Sequence, residues 1–274
     1  MKKLIYIALL SITVFSCTKK YDTVYRDYSY GDDSLQTLDL YLPQDYGDKT
    51  DILVLVHGGG WHEGDKSDFD GWFDYLKEQN KNYAIINLNY RLATDGKVPL
   101  PMQTDDIHSA IEKVKKDFRL PWGNIAMIGV SAGAHLSMLY AYKYDTDNEI
   151  KAVVSIVGPT DFTDTTWRNV YPYTWVFASF EQIFARQYST DSDYYRSISP
   201  YYIVTENSPA TALFYGKIDS IVPYTQGEKM YLKLQDLGVK TEYHLYEQSG
   251  HGFTADDALD CFLKSIEFAE ENME

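Results

Sequence analysis

The chain has 274 residues, 45% hydrophobic and 24% charged, proportions that allow one globular domain with a sizeable core. Its formal net charge of −15 repels phosphate backbones and anionic membrane surfaces, which excludes nucleic acid as a partner. Two cysteines exclude a disulfide framework.

The first segment, MKKLIYIALLSITVFSC, has a basic start, an apolar run from Leu4 to Phe15, and then Ser16-Cys17. The run is too short to span a bilayer as a helix and reads as an export signal over residues 1–16. Val-Phe-Ser-Cys resembles a bacterial lipobox, so Cys17 is the expected lipidation site and residues 17–24 a tether. This predicts a lipoprotein of a bacterial envelope, periplasmic or at the cell surface, touching membrane only through Cys17. Cys261 then has no partner within the chain.

From residue 25 onward, strand and helix signals alternate. VYRDYSYG and QTLDLYLP alternate apolar with polar, as exposed antiparallel strands do. DILVLVHGGG and YAIINLNY are continuous apolar runs, as buried strands are. In DDIHSAIEKVKKDF, Ile107, Ala110, Ile111, Val114 and Phe118 share one helical face. NIAMIGV is a strand, and SAGAHLSMLYAYKY a helix that begins at or just after Ser131. IKAVVSIVG, ATALFYGKID and KTEYHLYEQ complete eight strands, with helices at TQGEKMYLKLQDLG and ADDALDCFLKSIEFAEENM. The prediction is an α/β domain over residues 25–274: a mostly parallel eight-stranded sheet, helices on both faces and an antiparallel edge. Residues 161–203, between two strands, are too long for an ordinary loop and dense in Trp, Tyr and Phe, so they read as a small cap. The chain's 25 tyrosines suit a surface that meets polar ligands.

The chemistry concentrates at the carboxyl ends of these strands, where ligand crevices form in such sheets. Gly129-Val130-Ser131-Ala132-Gly133 fits G-x-S-x-G between a strand and a helix. A sharp turn there presents the serine, and its neighbours must be small. His57-Gly58-Gly59-Gly60-Trp61 follows the first buried strand, and its glycines let backbone N–H groups face a substrate oxygen. Gly59, Gly60 and Ala132 are the expected oxyanion donors, with Trp61 beside the substrate. A nucleophilic serine needs a base, and the base needs an orienting acid. Of six histidines, His251 in SGHGF follows the last strand in a glycine-flanked loop and is the expected base. Asp219, after the preceding strand, is the expected acid, with Asp161 as the alternative. His57 and His62 lack a third ligand nearby, so no metal is expected, and no cofactor.

With HGGG, GVSAG, NYRLA at 89–93 and the DxxVP pattern at Asp219–Pro223, the chain resembles α/β-hydrolase esterases of the hormone-sensitive-lipase-like group. HGGGW, GVSAGAHL and the lipoprotein start look most like bacterial carbohydrate esterases that remove acetyl or feruloyl groups from xylan. The resemblance implies an acylated polysaccharide or oligosaccharide substrate and a Ser131–His251–Asp219 triad working through an acyl-enzyme. GVSAGA in place of GDSAGG, and no proline after YRLA, point away from lipid esters. An arylformamidase-like or small-peptidase activity shares these motifs. An inactive binding scaffold is the alternative outside enzymes.

Overall fold

The computed structural model describes residues 22–79, 81–93, 99–121, 123–170 and 172–273. The expected export signal and Cys17 lie outside the described residues, as does most of the expected tether.

Eight strands form one sheet: β1 (Thr23–Ser29), β2 (Thr37–Leu42), β3 (Ile52–Val56), β4 (Ala84–Leu88), β5 (Ile125–Val130), β6 (Ile150–Ile156), β7 (Ala210–Gly216) and β8 (Thr241–Tyr246). Their order is β1-β2-β4-β3-β5-β6-β7-β8. β2 runs antiparallel to β1 and β4, and the other neighbours are parallel.

The helices cover both faces. Val54, Ile86 and Met127 point into one core with Ile107 of α2 (Met102–Phe118), Leu136 of α3 (Ala132–Leu139) and Met230 of α8 (Thr225–Asp236). The alternate residues Leu53, Ile85 and Ile128 enter the other core, against Phe73 of α1 (Asp70–Glu78) and Phe268 of α9 (Ala255–Met273). This two-sided burial is why the central strands read as unbroken apolar runs.

Two elements depart from the sequence reading. β2 is buried along nearly its whole length instead of alternating, because β1 takes the edge. The polar member of its alternation, Asp39, meets cations rather than water: Arg26 Nη1 at 2.6 Å and Lys66 Nζ at 2.9 Å. Burial raises the Asp39 pKa, but Lys66, the Asp27 N–H and Arg26 outweigh it and hold the carboxyl below its usual range. The second departure is α1, a nine-residue helix without a predicted counterpart. Phe69, Trp72, Phe73 and Leu76 recur at i, i+3, i+4 and i+7 and pack against the core shared with α9, an apolar stripe that the sequence reading passed over, while Tyr75 stays 41% exposed.

Between β6 and β7 the chain forms α4 (Thr165–Asn169), α5 (Tyr173–Ile183), α6 (Tyr188–Ser197) and α7 (Pro200–Ile203). Phe162, Trp167, Phe184 and Tyr195 are fully buried among these helices, which gives the aromatic insertion its own packing. Trp175 remains 56% exposed.

Candidate active site

Ser131 sits between the end of β5 and the start of α3 with φ 53° and ψ −116°. A side-chain-bearing residue in such a conformation costs on the order of 1–3 kcal/mol and persists only where its surroundings hold it. The Ser131 N–H donates to Ile156 O at 2.8 Å, and its carbonyl accepts from His135 N at 3.0 Å. The two motif glycines are demanded by close approach. A Cβ on Gly129 would lie 2.4 Å from Gly133 O, and one on Gly133 only 2.2 Å from Val56 O.

His251 bridges the other two expected residues. Its Nδ1 is 2.8 Å from Asp219 Oδ2 and its Nε2 is 3.0 Å from Ser131 Oγ. The carboxylate only accepts, so Nδ1 carries the proton and Nε2 is left to accept from the serine hydroxyl. Asp219 is buried, and its Oδ1 accepts from Ile221 N at 2.7 Å and Val222 N at 3.0 Å. Three N–H donors therefore satisfy the carboxylate. Asp161 is not brought to His251. It accepts from Thr163 and pairs with Lys229 at 3.1 Å, holding the start of the insertion against α8.

In the glycine loop, Gly59, Gly60 and Trp61 have φ of 105°, 55° and 65°. The Gly59 carbonyl accepts from His62 N and Glu63 N at 3.1 and 2.9 Å, closing a tight turn. Among the described residues, the N–H groups of Gly59, Gly60 and Ala132 have no acceptor. Ala132 opens α3, where the helix dipole adds partial positive charge. His57 donates from Nδ1 to Gly58 O at 2.7 Å, stacks on Tyr90 at 4.2 Å, and is held neutral by burial.

A family model described as BD-FAE matches residues 38–234. The chain belongs to the BD-FAE family. It is 27% identical over 253 residues to esterase LipC of Mycobacterium tuberculosis, covering 86% of this chain and 60% of that one. Among solved structures, a bifunctional GH43-CE protein of Bacteroides eggerthii matches with a TM-score of 0.78 at 21% identity, over 92% of this chain and 35% of that one. A truncated carbohydrate esterase from gut microbiota matches with a TM-score of 0.70 at 19% identity, over 92% and 98% of the two chains. These likenesses show the α/β-hydrolase fold.

In this BD-FAE member a cleft of about 840 Å³ opens over Ser131 and His251. The glycine loop forms one side; Trp175, Val176, Ser179 and Ile183 of α5 form another, and Phe69 and Trp72 a third. The aromatic density of the insertion was the sequence signal for α5. Phe69 and Trp72 belong to the stripe that the sequence reading passed over. Trp61 borders the cleft, but its ring is only 1% exposed and so differs from an open substrate contact. Its Nε1–H donates to His135 Nδ1 at 3.2 Å, and its ring packs on Phe162, Phe180 and Phe184. Its main contribution is to tie the glycine loop to the insertion.

His135 completes that tie by donating from Nε2 to Ile198 O at 2.8 Å. Burial, opposed only by the Ile198 bond, brings its pKa from 6.5 down to about 4. The unfolded chain therefore takes up this proton first. The stability is fully present above pH 6.5 and is lost as pH falls toward 4, by about 3 kcal/mol. Replacing His135 with Gln, which can still accept from Trp61 and donate to Ile198, should flatten this slope. Urea midpoints of both proteins at pH 7, 5.5 and 4.5 provide the check; a pH-independent difference between them would refute it.

The insertion also holds the acid loop. Tyr173 Oη donates to Asp219 O at 2.9 Å, and Trp167 Nε1 donates to Ile221 O at 2.7 Å. Tyr173→Phe removes a single hydrogen bond, worth about 0.5–1.5 kcal/mol. Esterase assays should show kcat reduced severalfold with little change in KM. A change confined to KM would instead mean that Tyr173 acts only through the cleft wall.

Proposed function

We propose that the chain is a serine ester hydrolase that removes acyl groups, acetyl or feruloyl, from a plant polysaccharide such as xylan. The observation that carries this reading is the continuous hydrogen-bonded path from Ser131 Oγ through His251 to Asp219 beside unpaired N–H groups. The esterase named among the relatives and the carbohydrate esterases named among the structural neighbours support it. The chain spans about 60% of the length of LipC, so activity and substrate are inferred for this chain in its own right.

In this mechanism His251 Nε2 takes the Ser131 proton as Oγ attacks the ester carbonyl. The Gly59, Gly60 and Ala132 N–H groups receive the oxyanion, each worth about 2.7–4 kcal/mol of barrier. Asp219 holds the His251 tautomer and stabilises its cation. His251 then returns the proton to the leaving sugar oxygen. Water attacks the acyl-enzyme by the same route and releases the acid. We further propose that the chain is exported and tethered to a bacterial envelope through Cys17, where external polymer is accessible.

The test is release of acetate and ferulate from acetylated, feruloylated arabinoxylan fragments, with Ser131→Ala as the blank. Ser131-dependent release supports the reading, and the ratio of the two acids identifies the acyl group. Cleavage of simple aryl acetates without release from the polymer fragments would move the substrate to another ester or an amide. Inactivity on every substrate would refute the enzyme reading.

A further inference from the structure

Phe69 and Trp72 on the cleft wall begin a row of touching rings that leads away from Ser131. Phe69 meets Trp72 edge-on at 5.4 Å, Trp72 meets Phe262 of α9 at 4.5 Å, and Phe262 meets Tyr75 at 5.0 Å. Trp72, Tyr75 and Gln79 follow one side of α1 at helical spacing. The row enters a second groove of about 360 Å³ between the end of α1 and α9. Tyr75, Phe262 and Leu263 give it an apolar floor; Gln79, Glu267 and Glu271 give it polar edges. Tyr75 is 41% and Leu263 49% exposed, so neither is spent on the core. Phe73 and Leu76 perform that task on the inner side of α1.

The groove's chemistry selects its occupant. Lys81 at its end is already paired with Glu270 at 2.6 Å and Lys240 with Glu271 at 3.7 Å, so neither lysine is free for an anion and the Glu267 carboxylate repels one. An apolar helix or a lipid surface covering the groove would strip water from the groove's carboxylates without replacing it. A neutral sugar ring offers a C–H face to stack on the aromatic floor and hydroxyls for the carboxylate and amide edges. Trp72 to Gln79 spans about 10 Å of helix, room for a short run of sugar units beyond the cleft.

We propose that this groove binds an uncharged polysaccharide chain whose ester-bearing unit lies in the Ser131 cleft. The second half of that statement rests on the ester-hydrolase reading; the binding itself does not. The experiment is native electrophoresis of the chain in gels with and without neutral arabinoxylan. Wild-type protein should be retarded, and Tyr75→Ala should bind roughly three- to tenfold more weakly. Tyr75→Trp, which keeps a stacking ring, should restore retardation. All three should cleave 4-nitrophenyl acetate equally, since Tyr75 does not line the cleft. Equal retardation of Tyr75→Ala and wild type would overturn the proposal, as would no retardation of wild type in arabinoxylan, glucomannan and β-glucan gels. Unretarded protein in which Tyr75→Ala turns a dimer into a monomer would also overturn it, in favour of self-association. Retardation without Ser131-dependent ester cleavage would leave the groove standing and remove the hydrolase reading. Cleavage without retardation would do the reverse.

Discussion

Ser131→Ala is expected to reduce kcat on every ester substrate by on the order of 10⁶-fold, because the remaining members of such a unit do little without the nucleophile. The N–H groups of Gly59, Gly60 and Ala132 would remain, so a small residual rate over water should persist. Stability should hardly change. Alanine inherits the same φ of 53° as serine, and the backbone bonds to Ile156 and His135 are kept. Ser131→Gly separates the two effects. It is equally inactive, yet relieves backbone strain and should be more stable than Ser131→Ala by about 1 kcal/mol. Burst and steady-state kinetics with thermal melts of both variants decide the matter. Ester turnover retained in Ser131→Ala would remove Ser131 from the chemistry. Equal melting of the two variants would remove the strain argument.

Gly133→Ala should be the most damaging change of a single methyl group. The added carbon would sit 2.2 Å from Val56 O and 2.3 Å from His57 O. Both are backbone atoms, at the end of a central strand and the start of the glycine loop, so no side chain can rotate aside. Either α3 retreats or the loop moves, and both carry catalytic N–H groups in the proposed mechanism. Overpacking of this kind costs about 1–3 kcal/mol or more, and a displacement of about 1 Å costs roughly 10²-fold in rate. Gly71→Ala is the matched control. It lies in α1 with nothing within 4 Å of the new carbon, so it should be neutral or stabilising by up to about 1 kcal/mol. Denaturant midpoints and kcat for the pair measure both effects. Similar behaviour of the two alanines would overturn the close-packing account of the elbow.

Much of this arrangement could be read locally. Continuous apolar runs marked β3 to β7, because strands buried on both faces need no polar alternation. Glycines marked the turns after β3 and β5, because backbones cross there at distances no Cβ tolerates. The alternation of β2 misled, since Asp39 is buried against Arg26 and Lys66 rather than turned to water. A long-range ion pair leaves no periodic trace.

The amino-acid sequence by itself determined the order of the elements and which polar residues follow the strand ends: Ser131 after β5, Asp219 after β7, His251 after β8. Both follow from short-range rules of pleat, helix period and turn chemistry. Only the tertiary structure decided that His251 bridges the other two, across 120 residues to Ser131 and 32 to Asp219. It also decided that Asp161 turns to Lys229, that Trp61 faces inward, and that Trp72 and Trp175 share one cleft. The reason is that strand order and helix docking are set by burying two cores at once, and that cooperative constraint appears in no single window of the chain.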